Sequence, residues 1–309
     1  MTIEKRSGTD TIDAAKLESL RPYLFAIAYR MLGSASEAED IVQDAYLRAR
    51  EAAPETIRSP KAYLATIVTR LCLNHLTSAR VMREAYPGPW LPEPVPSGDA
   101  DPAGVEAAAR GEEVSLGLLV LLERLTPEER AAYVLREAFA YRYDEIGPIL
   151  GKSVAATRQL AHRARERVAA GRRRFTATPE QQRRLTERFL AASRRGDLPA
   201  LMEILAADVT AWADGGDKRP RASRLPILGR DNVARWLVIV LSQGFPEARA
   251  TTAEVNGGVA LLLWSGEELV AAAMVDVAGE RIAELRFLIN PDKLAYLQRR
   301  LGGPGPHFL

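Results

Sequence analysis

Arg158, Gln159, His162, Arg163, Arg165 and Arg167 all fall within ten positions of one another. Guanidinium groups pair with phosphate oxygens, and glutamine and histidine side chains can hydrogen-bond to base edges. Placed at about 100° per residue, Val154, Thr157, Leu160, Ala161, Ala164 and Val168 gather on one side of a helix. Ala155, Gln159, His162 and Glu166 then point the opposite way. Arg158 and Arg165 flank that outer face on one side, Arg163 and Arg167 on the other. Short polar groups in the middle and arginines at both rims suit a helix lying in a DNA major groove. Ser153 is placed to cap it, and the basic run continues to Arg172, Arg173 and Arg174.

Two shorter elements must hold that helix. Thr126 with Pro127 and Glu129 forms a capping box, predicting a helix with Ala132, Leu135 and Phe139 inward. A second helix is predicted around residues 144–150, closed by Gly151, which can adopt the left-handed conformation that ends helices. Pro148 removes a backbone donor, so this helix is expected to be short or distorted. Helix, glycine-containing turn and basic helix make a helix-turn-helix.

The chain has 309 residues, enough for two or three domains. Its net charge is only +2, so any nucleic-acid surface must come from local clustering of arginine. The single cysteine, Cys72, excludes an internal disulfide framework and fits a reducing compartment. The polar start MTIEKRSGTD does not read as a signal peptide, and no run approaches the roughly 20 apolar residues of a membrane span. A cytoplasmic protein with no membrane association is expected.

Nearer the N-terminus, residues 17–32 have the pattern of an amphipathic helix ended by Gly33. Ser36 and Glu39 read as a capping box for the next helix, with Ala38, Val42, Ala45 and Leu47 inward. Glu37 and Glu39 near its start complement the helix dipole. Asp40, Gln43, Asp44 and Arg48 also face outward, and those lying further along need another reason. A longer helix follows, with Leu64, Ile67, Val68 and Leu71 buried and His75 as a packing residue. Its polar face (Thr66, Arg70, Asn74, Thr77, Arg80) mixes small hydrogen-bonders with arginine, as a single-stranded nucleic-acid groove does.

These segments carry a resemblance. The stretch LFAIAYRMLGSASEAEDIVQDAYLRA followed by SPKAYLATIVTRLCLNHLTSAR resembles region 2 of bacterial sigma factors of the extracytoplasmic-function group. Residues 125–168 resemble their region 4. The resemblance implies binding of RNA polymerase core and promoter DNA. It assigns Asp40, Gln43, Asp44 and Arg48 to docking on polymerase. It assigns Arg58, Lys61, Thr66, Arg70, Asn74, Thr77 and Arg80 to the −10 element. The −35 element falls to Ser153, Arg158, Gln159, His162, Arg163, Arg165 and Arg167.

Residues 83–104 are rich in proline and glycine and read as a semi-extended linker without regular structure. Trp90 is expensive to leave wet and is expected to dock. Beyond residue 178, two helices and five strand-like runs, interrupted by a helix near residues 231–241, indicate an α+β cone. This part resembles the SnoaL-like fold. A subgroup of extracytoplasmic-function sigma factors carries such a domain after region 4. It is marked by three segments: Trp90, Leu91, Pro92, Glu93 and Pro94; Asp214, Gly215, Gly216, Asp217 and Lys218; and Asn290, Pro291, Asp292, Lys293 and Leu294. Asp217 stands where the subgroup has glycine. The three segments are expected to lie together as an inter-domain regulatory contact.

The expected architecture is multidomain: two all-α sigma-factor domains (residues 10–82 and 111–175) joined by a linker (83–110), then an α+β SnoaL-like cone (178–301) and a flexible tail (302–309). Cone enzymes use a buried carboxylate base with a histidine or tyrosine partner. Here Asp208, Asp214, Asp217 and Asp276 are the carboxylates considered, and His307, the domain's histidine, sits in the tail. No catalytic residue, metal or cofactor is assigned. An unknown small-molecule ligand in the cone stays open, as do two other readings: a stand-alone helix-turn-helix regulator with a ligand-sensing domain, and a SnoaL-like cyclase or isomerase.

Overall fold

The computed structural model describes residues 14–51, 59–100, 114–171, 178–219, 223–243 and 248–304. Arg58, Arg172, Arg173, Arg174 and His307 lie outside the described residues, as does the side chain of Arg80.

The first unit is three helices, α1 (Ala14–Leu32), α2 (Ala35–Glu51) and α3 (Pro60–Glu84). Leu24, Ile27, Met31, Val42, Leu64 and Val68 close its core. Gly33, at φ +70°, makes the sharp turn between α1 and α2. The cap of α2 is Ser34 rather than Ser36: Ser34 O accepts from Ala38 N at 3.1 Å and Ser34 Oγ from Glu37 N at 3.2 Å. The buried stripe is Ala38, Ile41, Val42, Ala45 and Ala49, and Leu47 is 52% exposed. Leu47 was expected inward, but it lies five positions from Val42, well round the helix from the stripe.

The helix-turn-helix follows. After α4 (Ser97–Ala100) and α5 (Leu116–Leu122) come α6 (Pro127–Tyr133), continued as a π turn over Val134–Ala138, then α7 (Tyr143–Leu150) and α8 (Val154–Gly171). The Thr126–Glu129 capping box forms reciprocally. Pro148 sits inside α7, and Gly151 ends it at φ +65°. Thr157, Leu160, Ala161, Ala164 and Val168 are buried, whereas Val154, in the first turn of α8, is 43% exposed, contrary to expectation. The linker also departs from expectation. Residues 91–95 have no regular secondary structure, but α4 is a helical turn, and Pro96 forms an isolated bridge with Val255.

The last unit is a curved sheet wrapped by helices: α9 (Pro179–Arg195), α10 (Leu198–Ile204), β1 (Leu205–Asp214), β2 (Ile227–Leu228), α11 (Arg230–Gln243), β3 (Arg249–Val255), β4 (Gly258–Ser265), β5 (Glu268–Ala278), β6 (Arg281–Leu288) and α12 (Pro291–Leu301). Strand order is β2-β1-β6-β5-β4-β3, with β1 and β6 parallel and the other pairs antiparallel. One face packs on α9, α10 and α11 around Phe189, Leu237 and Phe287. The other face, with Leu262, Trp264, Met274 and Leu288, takes α12, Leu116 of α5 and Leu91 of the linker. The cone therefore spends its second face on the rest of the chain.

Candidate nucleic-acid interface and the linker junction

Along α8, Ser153, Arg158, Gln159, His162, Arg163, Arg165 and Arg167 are all exposed. The two rims differ in what holds them. Arg163 Nε and Arg167 Nη1 approach the carboxylate of Glu129 at 3.4 Å and 2.5 Å, and Glu129 is itself buried as part of the α6 capping box. On the opposite rim Arg165 donates to Glu137 at 2.9 Å and to the Tyr143 hydroxyl at 3.1 Å. These bonds raise its pKa, the tyrosine contact most and the carboxylate next. His162 lies 4.0 Å from Glu166.

The polar face of α3 is turned toward the helix-turn-helix. Arg70 Nη2 donates to Pro148 O at 2.9 Å and Arg70 Nε to Ile149 O at 3.2 Å. Both carbonyls belong to the last turn of α7, where helical partners run out and a cation is favoured. Asn74 and Thr77 line an open groove of about 620 Å³ whose far wall includes Glu129, Arg163 and Arg167. Thr66 and Thr77 hydroxyls bond back to Ala62 O and Leu73 O of their own helix. Lys61 is exposed and sits 4.1 Å over the Tyr23 ring. Tyr23 in turn meets Tyr141 and Phe139, and Arg130 Nη1 donates to Met31 O at 2.8 Å. One hydrophobic cluster runs from Leu24 and Val68 through Leu119 and Val134 to Val168. The three-helix unit and the helix-turn-helix share a core.

On α2, Asp40, Gln43, Asp44 and Arg48 are exposed, with Leu47 among them. Glu37 and Glu39 are half-buried. Glu37 pairs with His75 at 3.2 Å, giving that histidine a partner from another helix, and Glu39 pairs with Arg299 of α12 at 2.8 Å.

The three marked segments converge. Asp214 is fully buried at the end of β1. Its Oδ2 accepts from Leu91 N at 2.8 Å and Lys293 Nζ at 2.7 Å, and its Oδ1 from the Tyr86 hydroxyl at 2.5 Å. Lys293 Nζ also donates to Leu91 O at 2.6 Å and lies 4.2 Å over the Trp90 ring. Asn290 caps α12 and bonds Tyr86, while Asp292 pairs with Lys218 at 2.5 Å. Gly216, at φ +54°, passes so close that a Cβ there would stand 2.5 Å from Asn290 Nδ2. Leu294 is buried under Leu91 in the same cluster. Burial, reinforced by Asp214, pushes the Tyr86 phenol well up.

From this junction the linker reaches back to α2. The Glu93 carboxylate accepts from Ala35 N at 2.9 Å, Ser36 N at 3.0 Å, Ser34 Oγ at 2.7 Å and Ser36 Oγ at 2.9 Å. It occupies the N-terminus of α2, where orphan amides and the dipole favour an anion, and Ser36 serves this contact instead of a capping box. Trp90 lies against Gly33, where an added Cβ would come within 3.0 Å of Cη2. Sequence reasoning missed Tyr86 and Asn256. Asn256, at φ +48°, donates to the Tyr29 hydroxyl at 2.8 Å and accepts from Val95 N at 3.1 Å. The asparagine–glycine pair at 256–257 was the available signal.

The chain matches sigma-70 region 2 over residues 17–81 and sigma-70 region 4 over residues 115–168. It is 42% identical over 231 residues to the ECF RNA polymerase sigma factor SigJ of Mycobacterium tuberculosis, covering 74% of this chain and 72% of that protein. It is 32% identical over 303 residues to the probable ECF RNA polymerase sigma factor SigI of the same species, covering 96% and 99%. The chain is an extracytoplasmic-function sigma factor. The crystal structure of M. tuberculosis SigJ superposes on this sigma factor with a TM-score of 0.71 at 32% identity, covering 92% of this chain and 99% of that one. The SnoaL-like cone is therefore a C-terminal extension of a sigma factor, and the regulator and cyclase readings are not favoured. Sigma factors bind polymerase core and promoter DNA and are initiation factors, not enzymes. Among the described residues no helix is long and apolar enough to cross a membrane.

Proposed function

We propose that this sigma factor docks on polymerase core through Asp40, Gln43, Asp44 and Arg48, and reads promoters through the α3 polar face and α8. The C-terminal domain acts as a built-in restraint on that reading, in the cytoplasm and without catalysis. The observation that carries the proposal is the position of the linker. It is gripped at Asp214 and Lys293 by the cone and at the N-terminus of α2 through Glu93. Anything that moves the cone therefore moves the connection between the two promoter-reading units. Arg58, Lys61, Thr66, Arg70, Asn74, Thr77 and Arg80 serve the −10 element in this reading. The α8 set from Ser153 to Arg167 serves the −35 element.

The test is transcription reconstituted with core polymerase lacking any other sigma. Wild-type protein initiates at specific promoters. Asp214→Asn changes the yield of those transcripts while retaining core binding. Absence of promoter-specific initiation by the wild type sinks the sigma roles assigned to these residues. Unchanged yield with Asp214→Asn sinks the restraint.

A further inference from the structure

Three guanidinium groups converge on one phenol. Arg136 lies with its Cζ 4.8 Å from the centroid of the Tyr143 ring, Arg158 with its Cζ 5.6 Å from it, and Arg165 donates to the hydroxyl at 3.1 Å. Tyr143 is half-buried at the first position of α7, its ring packed against Ala132, Leu160 and Ala161. Like charges repel, so flexible arginines crowd together only where fixed groups hold them. The ring's negative faces and its hydroxyl supply such groups. Glu137, the carboxylate on Arg165, supplies one more. Arg136 is further tethered by donating to Tyr141 O at 3.0 Å. A long arginine side chain otherwise loses up to about 2 kcal/mol of rotamer freedom when a phosphate immobilises it, and these three have already lost part of it.

We infer that Tyr143 is a positioning residue for DNA binding: it pre-arranges Arg136, Arg158 and Arg165 as one clamp for the phosphates beside the −35 element. The inference rests on the reading of α8 as the −35 helix and adds Arg136, from the π turn that continues α6, to its contacts. Glu137 holds the place a phosphate takes on Arg165. The opposite rim has no aromatic organiser among the described residues; Arg163 and Arg167 share the buried Glu129 instead. The phosphate grip is thus asymmetric about the helix, firmer on the Tyr143 side.

The test is the salt dependence of promoter binding by holoenzyme assembled from core polymerase and the full chain. Each phosphate contact contributes about 0.9 to the slope of log K against log salt. Arg158→Ala and Arg165→Ala each flatten the slope by about that amount. Tyr143→Phe keeps the ring and removes one of the two groups holding Arg165, leaving Glu137 in place, and flattens the slope by less than about 0.9. Tyr143→Leu keeps an apolar side chain against Leu160 but removes ring and hydroxyl, flattening the slope more than Tyr143→Phe does, by about 0.9 or more. A Tyr143→Leu slope parallel to wild type, with or without a lower melting temperature, overturns the inference when the arginine variants do flatten it. Unchanged slopes in Arg158→Ala and Arg165→Ala overturn the −35 reading itself and the inference with it.

Discussion

The outward face of α2 and the polar face of α3 belong to one three-helix unit, yet they meet very different surroundings. Asp40, Gln43, Asp44, Leu47 and Arg48 stand in solvent. Arg70 is bound to the last turn of α7, and Asn74 and Thr77 look across a groove at Arg163 and Arg167. On the reading proposed above, the docking face stands free and the outer face of α8 is exposed, while the polar face of α3 is held against the helix-turn-helix. The −10 and −35 elements lie about 25 base pairs apart by their positions, roughly 85 Å at about 3.4 Å per step. A chain whose two DNA-reading units share one hydrophobic core cannot span that distance. On the proposed reading, the two units must therefore separate before both elements are engaged.

The largest effect is expected at the junction. Asp214→Asn leaves the Lys293 ammonium, whose side chain is 8% exposed, without its carboxylate. Breaking one side of a buried pair costs about 3–5 kcal/mol, while removing both partners costs less. Asp214→Asn should therefore melt earlier than the double variant Asp214→Asn/Lys293→Met. Spin labels at Asn74 and Gln159 should show a broadened distance distribution in Asp214→Asn, with core binding retained. A narrow distribution at the wild-type distance would break the link between the cone and closure of the DNA face.

The reverse experiment comes next in size. Asp40→Lys with Asp44→Lys should weaken core binding by about 100-fold, or about 2.8 kcal/mol, because reversed charges meet an interface shaped for the originals. The Asn74–Gln159 distance should not move, and melting should shift by no more than about 0.5 kcal/mol, since both positions are exposed. A pull-down in which the double variant retains core would remove one side of the comparison.

Much of this division is visible in the sequence, and what is not has a physical cause. Helix caps and apolar stripes are local, so Thr126 with Glu129, Gly151 and the buried side of α8 follow from spacing alone. The three marked segments stand out as motifs, and the bonds among Leu91, Asp214 and Lys293 join them. Leu47 and Val154 are misplaced by the pattern of their own helices, and the other failures are non-local. Ser36 has the pattern of a cap but is claimed by Glu93, 57 positions away. His75 reads as a satisfied packing residue, but its partner Glu37 comes from another helix and cannot be named from spacing. Tyr86 lies in a linker without periodicity, and its partner Asp214 is 128 positions on. The shared core of the two helical units has no signature in either one, because each has a complete amphipathic pattern of its own.

A smaller effect separates closure from DNA contact. Arg70→Ala removes two hydrogen bonds to α7 carbonyls at an exposed site, worth about 1 kcal/mol after solvent screening. In the free protein the Asn74–Gln159 distribution should gain a minor longer population. In holoenzyme, on the proposed reading, the same variant should weaken engagement of the −10 element. A variant that weakens promoter binding without altering the free distribution would show that Arg70 plays no part in closure.

The smallest expected change lies where the two faces meet. Glu93→Gln keeps the shape and one acceptor oxygen but withdraws the charge from the N-terminus of α2. Four donors, Ala35 N, Ser36 N and the two serine hydroxyls, now share the carboxylate. The neutral amide can accept from only part of that set and brings a competing N–H toward the helix amides. The charge–dipole contribution lost is about 1 kcal/mol in a partly buried site. If the linker transmits the state of the cone to α2, Glu93→Gln should raise hydrogen exchange at the first turn of α2 and at Leu91 N together, with exchange at Asp40 and beyond unchanged. Faster exchange at α2 alone would mean that Glu93 is a cap and nothing more, and that the docking helix does not sense the cone. Coupled exchange would place the polymerase face and the DNA restraint at opposite ends of one short, rigid segment.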